Sequence, residues 1–153
     1  MKTVLVPVDF STTTARVGEA ARTLAQLIGG RLVFLHVVQP PPVMMNEYYA
    51  FDPAQLAAAV VAGEKYADRK LAELARQYPN AEPQAQTTRA TGEPVPTILA
   101  QAEAAQADYI VMGSHGHGAF YDLIVGSTTQ GVLKKAHCPV LIIPSPPAKS
   151  GKK

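Results

Sequence analysis

Cysteine is nearly absent from this chain of 153 residues, Cys138 being the single one. One thiol excludes an internal disulfide framework and fits a reducing compartment, so the expected location is cytoplasmic. Long apolar runs are missing too. No stretch approaches the roughly 20 residues that cross a bilayer, which argues against membrane insertion. Met1-Lys2-Thr3-Val4-Leu5-Val6 has no apolar signal core with a small-residue cleavage site, and is expected to run straight into folded structure. Excess charge of one sign is scarce. The formal net charge is +2, but Lys149, Lys152 and Lys153 fall in the last stretch, and without them the body carries a single net negative charge. Such a body offers no electrostatic footprint for nucleic acid. Hydrophobic residues at 47% and charged residues at 17% place it among ordinary globular chains with one good core. One domain is expected over residues 1–145, with a flexible basic tail over 146–153 and fraying from about Ser145 onward.

What is present is an alternation of short apolar runs with helical periodicity. Val4-Leu5-Val6-Pro7-Val8 and Leu32-Val33-Phe34-Leu35-His36-Val37-Val38 suit strands covered on both faces, as in a parallel sheet. Between them Val17, Ala21, Leu24 and Ile28 recur at helical spacing, with Ser11 or Thr12 expected as the cap and Gly29-Gly30 as the stop. Gln39 to Pro53 holds four prolines, two methionines and two tyrosines and reads as a long loop. A second helical stripe runs through Leu56, Val60, Gly63, Ala67, Leu71, Leu74 and Tyr78, and is expected to be core. Pro83 to Ala90 reads as a more polar edge strand. A third helix passes through Ile98, Leu99 and Ala102, a fourth strand spans Asp108 to Met112, a fourth helix runs from about Ser127 to Ala136, and Pro139 to Pro144 is the fifth strand. The fold class is therefore α/β, a doubly wound parallel sheet of five strands with helices on both faces. In such sheets ligands sit beyond the carboxyl ends of the strands, where strand order reverses. Asp9, His36-Val37, Gly92 and Gly113 all fall at those ends.

Met112-Gly113-Ser114-His115-Gly116-His117-Gly118, with Gly126-Ser127-Thr128 downstream, carries the chemistry. Glycines uncover backbone N–H groups where a strand ends, and a glycine with two hydroxyl residues opens a helix; both features suit a phosphate. Gly113 to Gly118 has the spacing of a Walker loop, but Ala119-Phe120 stands where lysine and a hydroxyl residue are required, so P-loop hydrolysis is unsupported. The dinucleotide fingerprint fails as well, because it belongs after the first strand. The pattern Gly113-x-x-Gly116, nine residues, then Gly126-Ser127 resembles the ATP-binding signature of the universal stress protein family. The likeness extends from Val4-Leu5-Val6-Pro7-Val8-Asp9-Phe10-Ser11 through Leu35-His36-Val37 to His137-Cys138-Pro139-Val140-Leu141-Ile142-Ile143-Pro144.

That resemblance implies strand order 3-2-1-4-5, of the adenine nucleotide alpha-hydrolase-like type, and a nucleotide-dependent regulatory role in stress response. It places Pro7, Val8 and Asp9 against adenine and ribose, and Val37 against adenine through its backbone. Met112 would flank the nucleoside, Gly113, Ser114, His115, Gly116, His117, Gly118 and Ala119 would wrap ribose and phosphates, and Gly126, Ser127, Thr128 and Thr129 would face the phosphate oxygens. It implies ATP with Mg²⁺, and a homodimer paired through the last strand, Pro139 to Ile143, with an unidentified downstream protein partner.

Blander readings stand beside these. Asp9 suits a turn as well as a ribose, and His36 reads as a hydrogen-bonded structural residue. His115 and His117 have no nearby cysteine or carboxylate cluster to complete a metal site. Cys138 reads as a packed small thiol. Met44 to Tyr49 suits a lid over the ligand or a dimer surface equally. No general base stands beside the glycine loop, so no catalytic residue is assigned, and any hydrolysis would be slow and assisted by Mg²⁺. The competing functions are a nucleotide-transferring enzyme of related fold and a nucleotide-free dimeric adaptor. Where many ATP-binding members of the family have a basic residue after the second glycine, this chain has His117. A histidine charges near pH 6.5. Affinity for Mg·ATP is expected to strengthen as pH falls from about 8 toward 6; calorimetric titration checks this, and a flat profile with the protein folded removes His117 from the phosphates.

Overall fold

Nearly continuous burial along the central strands sets the architecture of the computed structural model, which describes residues 1–42, 52–79, 85–115 and 125–146. The strands are β1 (Lys2–Pro7), β2 (Gly30–Val38), β3 (Gln86–Thr91), β4 (Tyr109–Gly113) and β5 (Val140–Ile143). The helices are α1 (Thr14–Ile28), α2 (Pro53–Arg76), α3 (Pro94–Ala104) and α4 (Ser127–Lys135). All strand pairs are parallel, in the order β3-β2-β1-β4-β5. The doubly wound sheet expected from the sequence is the one observed.

Because successive side chains of a strand point to opposite faces, each strand feeds two cores. Val4, Val6, Leu32, Phe34 and Val111 face Val17, Ala21 and Ala25 of α1 and Leu71 and Leu74 of α2. Leu5, Val33, Leu35, Ile110 and Met112 face Ile98 and Ala102 of α3 and Val132 of α4. Two helices on each face follow from right-handed crossovers that run one way from β1 to β3 and the other way from β4 to β5. No helix among the described residues is long and apolar enough to cross a membrane.

Several local expectations are corrected. Neither Ser11 nor Thr12 caps α1. The N-cap position belongs to Thr13, without a side-chain cap, because Ser11 is drawn into a turn: its N–H donates to Asp9 Oδ1 (2.9 Å), its carbonyl accepts from Thr14 N–H (3.1 Å), and its hydroxyl bonds Thr13 Oγ1 (2.8 Å). Gly29 ends α1 with φ of 63°, a left-handed cap that glycine adopts without penalty, while Gly30 already belongs to β2. β3 starts at Gln86; residues 83 and 84 of the expected strand lie outside the described residues, as do residues 43–51 of the long loop. The α2 stripe is only half core. Ala67, Leu71 and Leu74 are buried, but Leu56, Val60 and Gly63 are partly exposed, because Gly63 already packs at Val38, the last residue of β2, and the turns before it extend past the sheet. Ser145 is held by its N–H, which donates to Ser114 Oγ (3.2 Å); residues 147–153 lie outside the described residues.

Tyr78 closes the α1–α2 core, its ring 5.2 Å from Phe34 and its hydroxyl against the Cα of Gly18, where a Cβ would collide with it. Helix propensity alone favours alanine over glycine by about 1 kcal/mol. We expect Gly18→Ala nonetheless to destabilise the protein by about 1–3 kcal/mol through overpacking, with recovery in the Gly18→Ala/Tyr78→Phe pair. Urea unfolding measures both, and a Gly18→Ala protein as stable as the parent would contradict this packing.

Candidate functional site

Doubly wound sheets place their ligand crevice where pairing between two neighbouring central strands gives out beyond the carboxyl ends. β1 follows β2 through six register pairs, Lys2↔Gly30 to Pro7↔Leu35, but follows β4 through two only, Val4↔Tyr109 and Leu5↔Ile110. Strand order reverses at this junction. β1 leads to α1 on one face and β4 to α4 on the other, so their connections diverge beyond the carboxyl ends.

Pro7 ends β1. Val8 is buried and both its backbone polar groups are engaged: the N–H donates to Leu35 O (2.8 Å) and the carbonyl accepts from His36 Nδ1 (2.7 Å). Asp9 then makes its turn with Ser11. Phe10, at φ 60°, stands in the left-handed region and stacks on His36, with ring centroids 4.4 Å apart. The structural reading of His36 is correct, and Phe10 is a residue that the sequence pattern did not single out.

Val37 gains its importance from register. Leu35 directs its carbonyl to β1, and the backbone groups of Val37, two residues on, point the same way. β1 has ended its pairing by then, so the Val37 amide and carbonyl face the crevice side. Val38 points oppositely, its carbonyl accepting from Gly92 N–H (3.0 Å) beyond β3.

The far wall comes from β4 and α4. Met112 lies buried in the core on the α3–α4 face and pairs with Ile142; the N–H groups of Ile110 and Ser114, two residues to either side, donate to Pro139 O (3.0 Å) and Ile143 O (2.9 Å), so the Met112 backbone groups are directed to β5. Glycine at 113 lets the chain fold back closely after β4: a Cβ there would stand a tight 3.3 Å from His115 O, and at an ordinary 3.7 Å from Thr13 Oγ1. Ser114 is buried and ties three segments together. Its N–H donates to Ile143 O (2.9 Å), its carbonyl accepts from Gly126 N–H (2.8 Å), and its hydroxyl meets His115 Nδ1 (2.9 Å) and Ser145 N–H. His115 Nε2 is buried without a hydrogen-bond partner, as is Thr14 Oγ1 on the first turn of α1; these are the two such side-chain atoms among the described residues. Gly116, His117, Gly118 and Ala119 lie outside the described residues.

α4 starts behind Gly126, whose lack of a side chain leaves the first-turn amides without a side-chain cap. A helix start so built carries unsatisfied N–H groups and the positive end of the helix dipole. A Cβ on Gly126 would lie 3.4 Å from Ser114 O and 3.6 Å from His115 Cα, so this helix start packs directly against the chain that leaves β4. Ser127 is exposed and Thr128 partly so, while Thr129 is buried and donates its hydroxyl to Gly113 O (2.9 Å). Thr129 thus braces the end of β4 from below. No group of three or more His, Cys, Asp or Glu side chains stands together among the described residues.

The fold defines the class: a doubly wound parallel α/β domain whose strand order reverses at the switch point between β1 and β4. Within that class, the chain belongs to the universal stress protein family, whose family model matches residues 1–144. A universal stress protein of Thermus aquaticus is 33% identical over 142 residues, spanning 93% of this chain and 98% of the relative. The solved universal stress protein UspA of Lactobacillus plantarum is 27% identical, with a TM-score of 0.80 over 93% of this chain and 97% of its own. Two structures of lower identity share the fold and hold nucleotides. One is a universal stress protein in complex with cAMP (21% identical, TM-score 0.66, covering 93% and 96%), the other an Arabidopsis thaliana family protein with AMP bound (19%, 0.64, 100% of both chains).

Removing the brace tests this wall. Thr129→Val keeps the shape but leaves the Gly113 carbonyl without its donor, an expected loss of about 1–3 kcal/mol in chemical denaturation. A change below about 0.5 kcal/mol, the usual range for inert surface positions, would contradict the role given to Thr129.

Proposed function

We propose that this protein binds ATP in the crevice between the ends of β1 and β4 and acts as a dimeric, nucleotide-dependent regulatory protein of the stress response. The observation that carries the reading is the start of α4. Its first-turn amides, without a side-chain cap at Gly126 and flanked by the Ser127 and Thr128 hydroxyls, present converging positive potential beside the end of β4. The buried, unpartnered His115 Nε2 fits the same reading, since a buried polar atom without a partner is unfavourable and a bound ligand can supply one. Adenine and ribose would lie toward Pro7, Val8, Asp9 and the backbone of Val37. The phosphates would lie toward Gly113, Ser114, His115, Gly126, Ser127 and Thr128, with Gly116, His117, Gly118 and Ala119 closing over them. AMP and cAMP in two relatives of the same fold support an adenine nucleotide as the ligand class.

Mg²⁺ would arrive on the triphosphate, screening its charge, because the described residues gather no carboxylate set of their own. The chain's own groups then bind and orient, and no side chain is assigned a catalytic step. β5 forms one edge of the sheet, and Leu141 on it is 42% exposed. An apolar edge strand invites pairing with another chain, and a second copy paired along Pro139 to Ile143 satisfies it.

Native mass spectrometry of the purified protein tests the ligand directly, with co-purified adenine nucleotide the expected result. Gly126→Val crowds the start of α4 against the chain that leaves β4 and is expected to weaken Mg·ATP binding by at least about tenfold, the equivalent of one lost charge-assisted hydrogen bond. Equal ATP affinity in the parent and in folded Gly126→Val would reject the site, and a protein that neither retains nor binds ATP would favour the adaptor reading.

A further inference from the structure

We infer that His36 and Phe10 form a clasp that sets the conformation of residues 8–10 and thereby makes the crevice selective for the nucleoside end of its ligand. The inference rests on the nucleotide reading above and adds two positioning residues that it does not contain.

Residues 8–10 connect the buried end of β1 to the turn before α1, and their conformation is one the chain would not adopt unaided. Phe10 has φ of 60°, where the Cβ of an L-residue crowds its own backbone. Packing from two other elements holds it there. Its ring stacks on His36 of β2, 4.4 Å between centroids and 26° from parallel, and receives Tyr66 of α2 edge-on at 6.1 Å and 81°. Tyr66 is itself covered by the Arg69 guanidinium, 5.4 Å from its ring centre. The imidazole also grips the segment directly. A carbonyl oxygen only accepts, so the 2.7 Å contact with Val8 O assigns the proton to Nδ1.

His36 therefore holds both sides of Asp9: the carbonyl before it by a hydrogen bond, and the ring after it by stacking. Asp9 cannot turn toward or away from the crevice without breaking one of the two. The phosphate side, built from β4 and α4, shares none of these contacts. Loss of the clasp should accordingly act on recognition of the nucleoside and spare that of the phosphates.

His36→Phe keeps an aromatic face and removes the donor; His36→Asn restores a donor near the position of Nδ1. Binding of Mg·ATP and of inorganic tripolyphosphate is measured by calorimetry on the full chain, alongside amide hydrogen exchange without ligand. The expected result for His36→Phe is roughly tenfold weaker ATP binding, the effect of one lost hydrogen bond, with tripolyphosphate binding unchanged and faster exchange at residues 8–11. His36→Asn should return ATP affinity to near the parent value. Parent-like ATP binding in His36→Phe, or an equal loss for both probes, overturns the clasp. If His36→Phe does not fold, Phe10→Leu carries the same expectations and the same refutations. A parent that binds no ATP while its exchange still responds to His36→Phe refutes the nucleotide reading and leaves the clasp on its segment standing.

Discussion

β1 and β4 part company after two rungs, and the rest of the site depends on that separation. A central strand in a parallel sheet ordinarily has its amides and carbonyls taken by both neighbours. Here the ladder stops at Leu5↔Ile110 while β1 continues beside β2 to Pro7↔Leu35. Backbone groups at the carboxyl ends are thereby turned toward a gap and not toward a partner strand, and Val37 lies beside the same gap one strand over. The gap persists because each wall is fastened elsewhere. Ser114 links β4 to β5 and to the start of α4, and Thr129 props the end of β4. His36 and Phe10 secure the segment after β1.

This division of labour sorts the hydroxyl and imidazole groups of the site by role. Ser114 and Thr129 are buried and have intramolecular partners, so they shape the wall. Ser127 and Thr128 remain accessible at a helix start without a side-chain cap. The two histidines at the crevice also differ. His36 has its Nδ1 proton placed on a carbonyl, whereas His115 keeps a buried nitrogen without a partner. The chain belongs to the universal stress protein family, and the site proposed for it would be made chiefly of main chain, a few glycines and helix amides replacing charged side chains.

Much of this was legible in the sequence because it is written in local patterns. The nearly continuous apolar runs Val4 to Val8 and Leu32 to Val38 specify strands buried on both faces, and the helical stripes between them impose the crossovers and hence the doubly wound sheet. Gly113 and Gly126 were readable as backbone openings from their spacing and from the resemblance it carries. What was not legible depends on contacts between distant segments. Nothing in Asp9-Phe10-Ser11 announces that Phe10 takes a left-handed conformation, since stacking by His36 and Tyr66 imposes it. The cap of α1 moved to Thr13 because Asp9 and Ser11 formed a turn of their own. Thr129 looked equivalent to Ser127 and Thr128, and only helix phase, which turns it inward against Gly113, separates it from them.

The central claim is that an adenine nucleotide enters the gap left between β1 and β4. Amide chemical-shift mapping during titration of the isotopically labelled protein with Mg·ATP tests it most directly. The account predicts saturable shifts concentrated at Asp9, Val37, Gly113 to His115 and Gly126 to Thr129, with Lys2, Thr3, Arg31 and Asp108 at the opposite end of the sheet unmoved. Shifts confined to that opposite end, or none at any ATP concentration, would contradict it.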